Sequence, residues 1–347
     1  MAQSMRAISG AVAWQERVAV HVLKIKVSEM KLTSSFSRPW SIAVAITLFS
    51  IPGLAAETTV SGHGDGGTPR VLFIGNSFTF GAGSAVQFYR KDSVTDLNGN
   101  GKGGVPALFK AFALQAGLEF DVYHELIGGS GIDRHLAEKS EVVGRAWDHV
   151  IMHGYSTLDR EKPGDPATLI WSAKQMAELL HKHNANVNIR IEATWSRADQ
   201  TYPEKGHWHG KAIDVMARDV RAGYDLAAAS TPFIGGVIPV GEAWNRAMAT
   251  GVADPNPYDG IAFGQVDLWT NDHYHGSTYG YYLAGLMIFG ELTGLDPRSL
   301  GEREVCALEL GVSRSQAAAL QQVAFDELSA AKSVSALKTF KSMPLLR

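Results

Sequence analysis

The sequence is short of cysteine. Cys306 is the only cysteine in 347 residues, so no intramolecular disulfide can form and stability must come from the hydrophobic core. The segment around Cys306 is apolar and holds no neighbouring base, which favours a buried structural thiol over a nucleophile. Apolar residues make up 45% of the chain, which is enough for one sizeable α/β core.

The chain also lacks a large excess of charge of either sign. The formal net charge is −3, and the sequence pI is about 6.5. Because the chain has no excess of basic residues, we expect neither nucleic acid nor an anionic membrane surface as a partner.

Long hydrophobic runs are scarce, and the one near the N-terminus is short. The run Trp40–Ile51 follows Lys31 and Arg38 and precedes the small-residue stretch 52–56. A basic segment, an apolar segment and a small-residue cleavage site are typical of a secretory signal peptide. We therefore expect a secreted or periplasmic protein with no stable membrane span in the mature chain; a retained N-terminal anchor is the alternative.

The expected domain boundaries follow from this pattern. Residues 1–56 are assigned to an N-terminal extension with the signal peptide, 57–69 to a linker, and 70–347 to one domain with a C-terminal helical extension. Met30 is a candidate for the true start, since a signal peptide is unusual so far from the N-terminus.

Strand and helix patterns alternate along the predicted domain, and no internal repeat interrupts them. This order favours an α/β fold with a central parallel sheet covered on both faces, and it puts functional loops at the carboxyl ends of the strands. The predicted strands are 70–74, 118–125, 148–152, 187–194 and 232–240, and the predicted helices are 106–117, 133–143, 166–184, 211–229 and 279–292.

Ser77 is the candidate nucleophile. It follows the apolar run 70–74 through a tight Gly-Asn-Ser turn, and Asp272 and His275 lie far downstream as Asp-x-x-His. A serine hydroxyl needs an imidazole to take its proton and a carboxylate to orient that imidazole, and these two residues supply both. Taken alone, Gly-Asn-Ser is equally an ordinary turn.

Three segments together resemble blocks of the SGNH (GDSL-like) hydrolase superfamily. They are Ile-Gly-Asn-Ser-Phe-Thr at 74–79, Trp-Asp-His-Val-Ile-Met at 147–152, and Asp272-x-x-His275-x-Ser277-x-x-Gly280. The resemblance covers about residues 70–294 and is closest to an uncharacterised bacterial branch. It implies a three-layer sandwich of the flavodoxin-like type and a Ser77-His275-Asp272 triad.

The resemblance also implies an oxyanion hole, which needs two or three preorganised donors. The amide of Ser77 is the first, and that of Gly131 matches the superfamily's second block. The third block usually carries Gly-x-Asn-Asp, and here its asparagine is missing. His153, Tyr155 and Ser156 are the candidate replacements, with His153 slightly favoured for its reach.

No cofactor and no metal are expected, although two segments carry residues that could bind a metal ion. Residues 96–101 resemble the first half of a calcium loop, but Ala107 stands where the last acidic ligand belongs, so a plain loop is favoured. His207 and His209 flank Trp208 without nearby carboxylates, which disfavours a metal site there.

Several aromatic residues flank the predicted active loops, and either sugar stacking or core packing explains them. Two functions therefore stay open. The first is an exported serine esterase that acts on O-acyl esters of a small molecule or carbohydrate, O-acetyl esters being one candidate. The second is a noncatalytic glycan-binding or surface protein that keeps the hydrolase fold. The aromatic residues concerned are Trp195, Trp208, Trp244, Trp269, Tyr274 and Tyr279.

Overall fold

The computed structural model describes residues 67–331. Segment 1–56 with the predicted signal peptide, the linker up to residue 66 and the tail from 332 onward lie outside the described residues, so these assignments stay predictions. Within 67–331 no helix is long and apolar enough to span a membrane.

A parallel sheet forms the centre of the fold, and its strand order is β2-β3-β1-β4-β5-β6. Apart from the two-residue β2, this is the doubly wound order of flavodoxin-like folds. The predicted α/β class with a central parallel sheet is therefore confirmed. The strands are β1 (Arg70–Gly75), β2 (Thr95–Asp96), β3 (Asp121–Leu126), β4 (His149–Met152), β5 (Asn188–Ala193) and β6 (Ile234–Pro239).

Helices cover both faces of the sheet. The longer ones are α2 (Gly104–Gln115), α3 (Ile132–Val143), α4 (Ala167–His183), α6 (Asp214–Ala229), α7 (Val240–Ala249), α8 (Thr278–Thr293) and α10 (Arg314–Ala330), and the short ones are α1 (Ser77–Phe80), α5 (Ala198–Thr201) and α9 (Val305–Glu309). Helices α3, α4 and α6 pack on one face, and α2, α7, α8 and α10 lie on the other. Each face thus buries its own core, which gives the three layers.

The C-terminal segment belongs to the core instead of extending from it. Helix α10 begins with a capping box between Ser313 and Gln316, and it buries Leu320 and Leu328 against α8. Cys306 is fully buried, and burial raises the pKa of its thiol, in keeping with a structural thiol.

Strand β1 lies at the point where the chain reverses its direction across the sheet. It pairs with β3 on one side and with β4 on the other. In open α/β sheets a crevice forms at such a point beyond the carboxyl ends of the strands. The loops after β1, β3 and β4 carry Ser77, Gly131 and His153, so the fold brings the predicted site segments together there.

Candidate active site

The nucleophile turn begins where β1 ends. Ser77 is the first residue of α1, and it is 7% exposed. Gly75 cannot carry a side chain, because a Cβ there would lie 2.3 Å from Oγ1 of Thr79 and 2.6 Å from Nε2 of His153. The glycine of the Gly-Asn-Ser motif is therefore needed for close packing under the nucleophile.

Asn76 ties this turn to two other loops. Its Oδ1 accepts a hydrogen bond from the Phe78 amide at 3.0 Å and so caps α1. Its Nδ2 donates to the carbonyl oxygens of Ser130 at 2.8 Å and Gly154 at 3.2 Å. One side chain thus joins the loops after β1, β3 and β4. The presence of an asparagine in the Gly-Asn-Ser motif did not by itself predict this role.

The Asp272–His275 loop has the geometry of a carboxylate–imidazole pair. Nδ1 of His275 lies 2.6 Å from Oδ2 of Asp272. The other carboxylate oxygen accepts bonds from the His275 and Tyr274 amides, both at 2.9 Å, and from Oγ1 of Thr270 at 2.7 Å. Partial burial alone would raise the pKa of Asp272, but these hydrogen bonds lower it well below its ordinary value. The carboxylate therefore stays ionised and fixes the imidazole.

The His275 ring contacts the residue that follows the candidate nucleophile. Nε2 is buried and has no hydrogen-bond partner among the described residues. The ring of Phe78, which directly follows Ser77, packs edge-on against the His275 ring with centroids 5.8 Å apart. Tyr281 donates from its hydroxyl to the Ser77 carbonyl at 3.3 Å. Ser77 and His275 are thus brought to the same place, although within residues 67–331 no hydrogen bond joins Oγ to Nε2.

The start of α8 holds the Asp-x-x-His loop. Oγ of Ser277 accepts from the amides of Tyr279 at 3.1 Å and Gly280 at 3.4 Å, and it donates to the Asp267 carbonyl at 2.6 Å. A Cβ on Gly280 would lie 2.4 Å from the Trp244 ring. In the motif His-x-Ser-x-x-Gly, the serine therefore caps the helix, and the glycine allows the close contact with Trp244.

A stack of aromatic rings packs against Phe78, the residue that follows Ser77. Phe78 stacks on Trp195 with centroids 4.1 Å apart, and Trp195 stacks on Trp244 at 4.5 Å. With Trp208 and Trp269, these tryptophans are at most 1% exposed. Sugar stacking is thus wrong for the four tryptophans, which pack in the core, whereas Tyr274 and Tyr279 stay partly exposed.

Gly131, the predicted second oxyanion donor, is the N-cap of α3. A Cβ on it would lie 2.4 Å from Cε2 of Tyr155 and 2.5 Å from Oδ1 of Asp133. The Tyr155 ring therefore packs directly on Gly131, and its hydroxyl donates to Oδ2 of Asp133 at 3.5 Å.

His153 is bonded on both ring nitrogens. Nδ1 donates to the Gly154 carbonyl at 3.0 Å, so Nε2 accepts from the Thr79 hydroxyl at 2.7 Å. Burial lowers the pKa of His153 to about 4, which keeps the ring neutral. The slight preference for His153 as third donor is not supported, because its single N–H is already used. Ser156 accepts from Arg197 at 3.3 Å and keeps its own proton available.

Comparison with solved structures identifies the architecture. A DUF4886 family protein from Bacteroides uniformis superimposes with a TM-score of 0.53 at 16% identity, over 79% of this chain and 100% of that one. The chain has the SGNH-hydrolase fold. No protein-family model and no curated protein matches the sequence.

Two further structures score lower. An acetyl-xylooligosaccharide esterase from Geobacillus has a TM-score of 0.44 at 16% identity, covering 68% of this chain and 97% of that chain. A Clostridium thermocellum family 3 carbohydrate esterase has a TM-score of 0.39 at 15% identity, covering 64% and 94%. With TM-scores below 0.5, these two add nothing to the assignment of the SGNH fold.

Arg197 is a site residue that the sequence did not reveal. Its guanidinium forms two hydrogen bonds with Asp199, at 3.0 and 2.6 Å, and lies 3.6 Å from the centroid of the Tyr274 ring. It thereby joins the Ser156 loop to the Asp272–His275 loop. No local motif marks an arginine whose partners are 41 and 77 residues away.

The predicted calcium-like loop closes on itself. Oδ1 of Asp96 accepts from the amides of Asn98 and Gly99 at 2.9 and 3.1 Å, and Oδ2 accepts from those of Asn100 and Lys102 at 2.9 and 3.2 Å. This geometry favours the plain loop. Among residues 67–331 no group of three His, Cys, Asp or Glu side chains could hold a metal ion.

A cavity of about 430 Å³ is lined by Phe80 and Gly128, from the segments that follow β1 and β3. Two amides and both signs of charge face it, from Asn98, Asn100, Lys102, Glu138 and Lys139.

Proposed function

We propose that the protein is a serine esterase that hydrolyses O-acyl esters through Ser77, His275 and Asp272. The observation that carries this proposal is the Asp272–His275 pair, whose ring packs against Phe78 and whose remaining nitrogen, Nε2, is buried without a partner among residues 67–331. A buried acceptor without a partner is costly for folding. Such a cost is common at sites where a group is kept ready for chemistry.

The geometry supports a two-step mechanism. Nε2 of His275 takes the proton of Ser77 as Oγ bonds to the ester carbonyl carbon, and the amides of Ser77 and Gly131 stabilise the resulting oxyanion. His275 then gives the proton to the leaving alcohol, which leaves an acyl-Ser77. Water attacks the acyl group with His275 again as base, and the acid and free Ser77 are released. Asp272 remains ionised and stabilises the imidazolium.

The polar lining of the cavity between the segments that follow β1 and β3 suits a polar alcohol, and we extend the proposal to an O-acetylated carbohydrate. The amide of Asn100 and the ammonium groups of Lys102 and Lys139 suit hydroxyl groups better than a long acyl chain. The ring of Phe80 supplies a small apolar face at the same cavity.

We further propose that the enzyme works outside the cytoplasm. The support is the basic, apolar and small-residue order of segment 30–56.

A noncatalytic glycan-binding protein is the second candidate. Two observations favour it: the superfamily's third-block asparagine is missing, and Ser77 Oγ is not hydrogen-bonded to His275 Nε2 among the described residues. Catalytic hydrogen bonds in apo proteins are often long and tighten only with substrate, so the esterase remains the first candidate.

Hydrolysis of acetylated sugars and short-chain aryl esters by the purified protein tests the proposal. We expect Ser77→Ala to lower kcat by about 10⁴- to 10⁶-fold with little change in stability. Ser172→Ala is the control, since Ser172 is also buried but lies in α4. If Ser77→Ala keeps more than about a tenth of the activity, Ser77 is not the nucleophile.

A further inference from the structure

A second Ser-His-carboxylate arrangement lies buried behind the oxyanion turn. It consists of Ser130, His135 and Glu125, each with 0% exposure. Nε2 of His135 is 2.8 Å from Oγ of Ser130, and Nδ1 bonds to Oε2 of Glu125. None of these side chains reaches solvent, so this arrangement cannot itself meet a substrate.

Hydrogen bonds fix all three side chains of this cluster. The Ser130 hydroxyl donates to the Ile127 carbonyl at 2.7 Å, and the His135 ring bridges Ser130 and the Glu125 carboxylate. Burial alone would raise the pKa of Glu125, but the hydrogen bonds from His135 and from Nδ2 of Asn98, the latter at 2.7 Å, lower it.

The cluster is one residue away from the oxyanion amide. The Ser130 carbonyl accepts from Asn76 at 2.8 Å, and Asn76 directly precedes Ser77, while Ser130 directly precedes Gly131. The backbone of Ser130 is therefore fixed by Asn76 on one side and its hydroxyl by His135 on the other. These bonds connect the two amides that the proposed oxyanion hole requires.

We propose that His135, hydrogen-bonded to Glu125, is a positioning residue that orients the Gly131 amide toward the oxyanion through Ser130. Its value is geometric, because misplacement of a catalytic group by about 1 Å can cost on the order of 10²-fold in rate. The inference rests on the proposed ester hydrolysis.

The test compares Ser130→Ala and Glu125→Gln with Glu327→Gln. Ser130→Ala removes one hydroxyl and is the mildest change for folding. Glu327 is the matched control, since its buried carboxylate pairs with Arg246 at 2.8 Å between α7 and α10. The measured quantities are kcat per titrated active site, KM, and inhibition by an alkylboronic acid, whose tetrahedral adduct needs the oxyanion hole.

We expect both cluster variants to lower kcat about 10- to 100-fold and to weaken the boronic acid by the same factor, with KM within about twofold of wild type. Partial unfolding alone would reduce the number of titrated sites and leave these values unchanged. Wild-type kcat per site and wild-type inhibition in both variants would overturn the proposal.

Amide hydrogen exchange of residues 128–131 separates this proposal from the esterase assignment. We expect faster exchange there in Ser130→Ala than in Glu327→Gln, whether or not the wild type cleaves an ester. Faster exchange in a protein without esterase activity would overturn the proposed function and support the role of the cluster in holding the turn. Unchanged exchange would overturn the positioning role.

Discussion

Glu192 is a residue whose burial has a measurable cost. It lies on β5 at 4% exposure, without an ion-pair partner among the described residues, and burial raises its pKa from 4.5 to about 8. Between these values the native state holds a proton that the unfolded chain has lost. The free energy of unfolding therefore decreases as pH rises from about 4.5 to 8.

Replacing Glu192 with glutamine should remove this pH dependence. We expect Glu192→Gln to be more stable than wild type at pH 8 by on the order of 2–4 kcal/mol, with a much smaller difference near pH 4.5. Urea unfolding at both pH values measures the effect. Exposed Glu119→Gln is the control and should change neither value; an identical pH slope in Glu192→Gln and wild type would refute the expectation.

Tyr155 and Ser156 remain the candidates for the third oxyanion donor, and the Tyr155 ring packs against Gly131. Tyr155→Phe should lower kcat by about 10²- to 10³-fold with KM nearly unchanged, and Ser156→Ala should have the smaller effect. Kinetics on one activated ester decide. If both variants keep wild-type kcat, the hole consists of the Ser77 and Gly131 amides alone.

At the scale of elements, the cap of α8 connects folding to the site. Ser277→Ala removes a helix cap two residues after His275 and should cost about 1 kcal/mol, together with a loss of kcat as the triad loop loosens. Ser313→Ala removes the cap of a different helix, α10. We expect a similar loss of stability and no loss of kcat in that control. Equal kcat in both variants would separate the cap from catalysis.

Element boundaries were predictable where hydrophobic periodicity and turn residues agree. The pattern predicted a helix over 279–292, and α8 spans Thr278–Thr293. Helix α7 was missed, because Val240 follows Pro239 of β6 without a turn between them and no side-chain bond caps the helix. Where a strand passes directly into a helix, no turn or capping residue marks the boundary in the sequence.

In the candidate site, contacts between residues close in sequence were predictable and long-range contacts were not. Asp272 and His275 are three residues apart, so sequence spacing is enough to predict their contact. The bonds of His153 to Thr79 and of Asn76 to Ser130 join residues 74 and 54 positions apart. They depend on strand order in the sheet, which no local pattern of residues contains.

At the scale of the whole molecule, the predicted signal peptide remains to be tested. We expect export with removal of the chain up to about Ala55 or Ala56, since the small-residue stretch follows the apolar run directly. Intact-mass analysis of the protein from the extracytoplasmic fraction measures the new N-terminus. A chain still beginning at Met1 in the cytoplasm would contradict export.

The central claim is that Ser77 is a nucleophile activated by His275. Fluorophosphonate labelling followed by peptide mass mapping tests it most directly, since the reagent modifies a serine only when a base takes its proton. We predict one adduct on Ser77 in the wild type and its loss in Ser77→Ala and His275→Ala, with Ser172→Ala labelled like wild type. An unlabelled wild type, or an adduct on another residue, would contradict the claim.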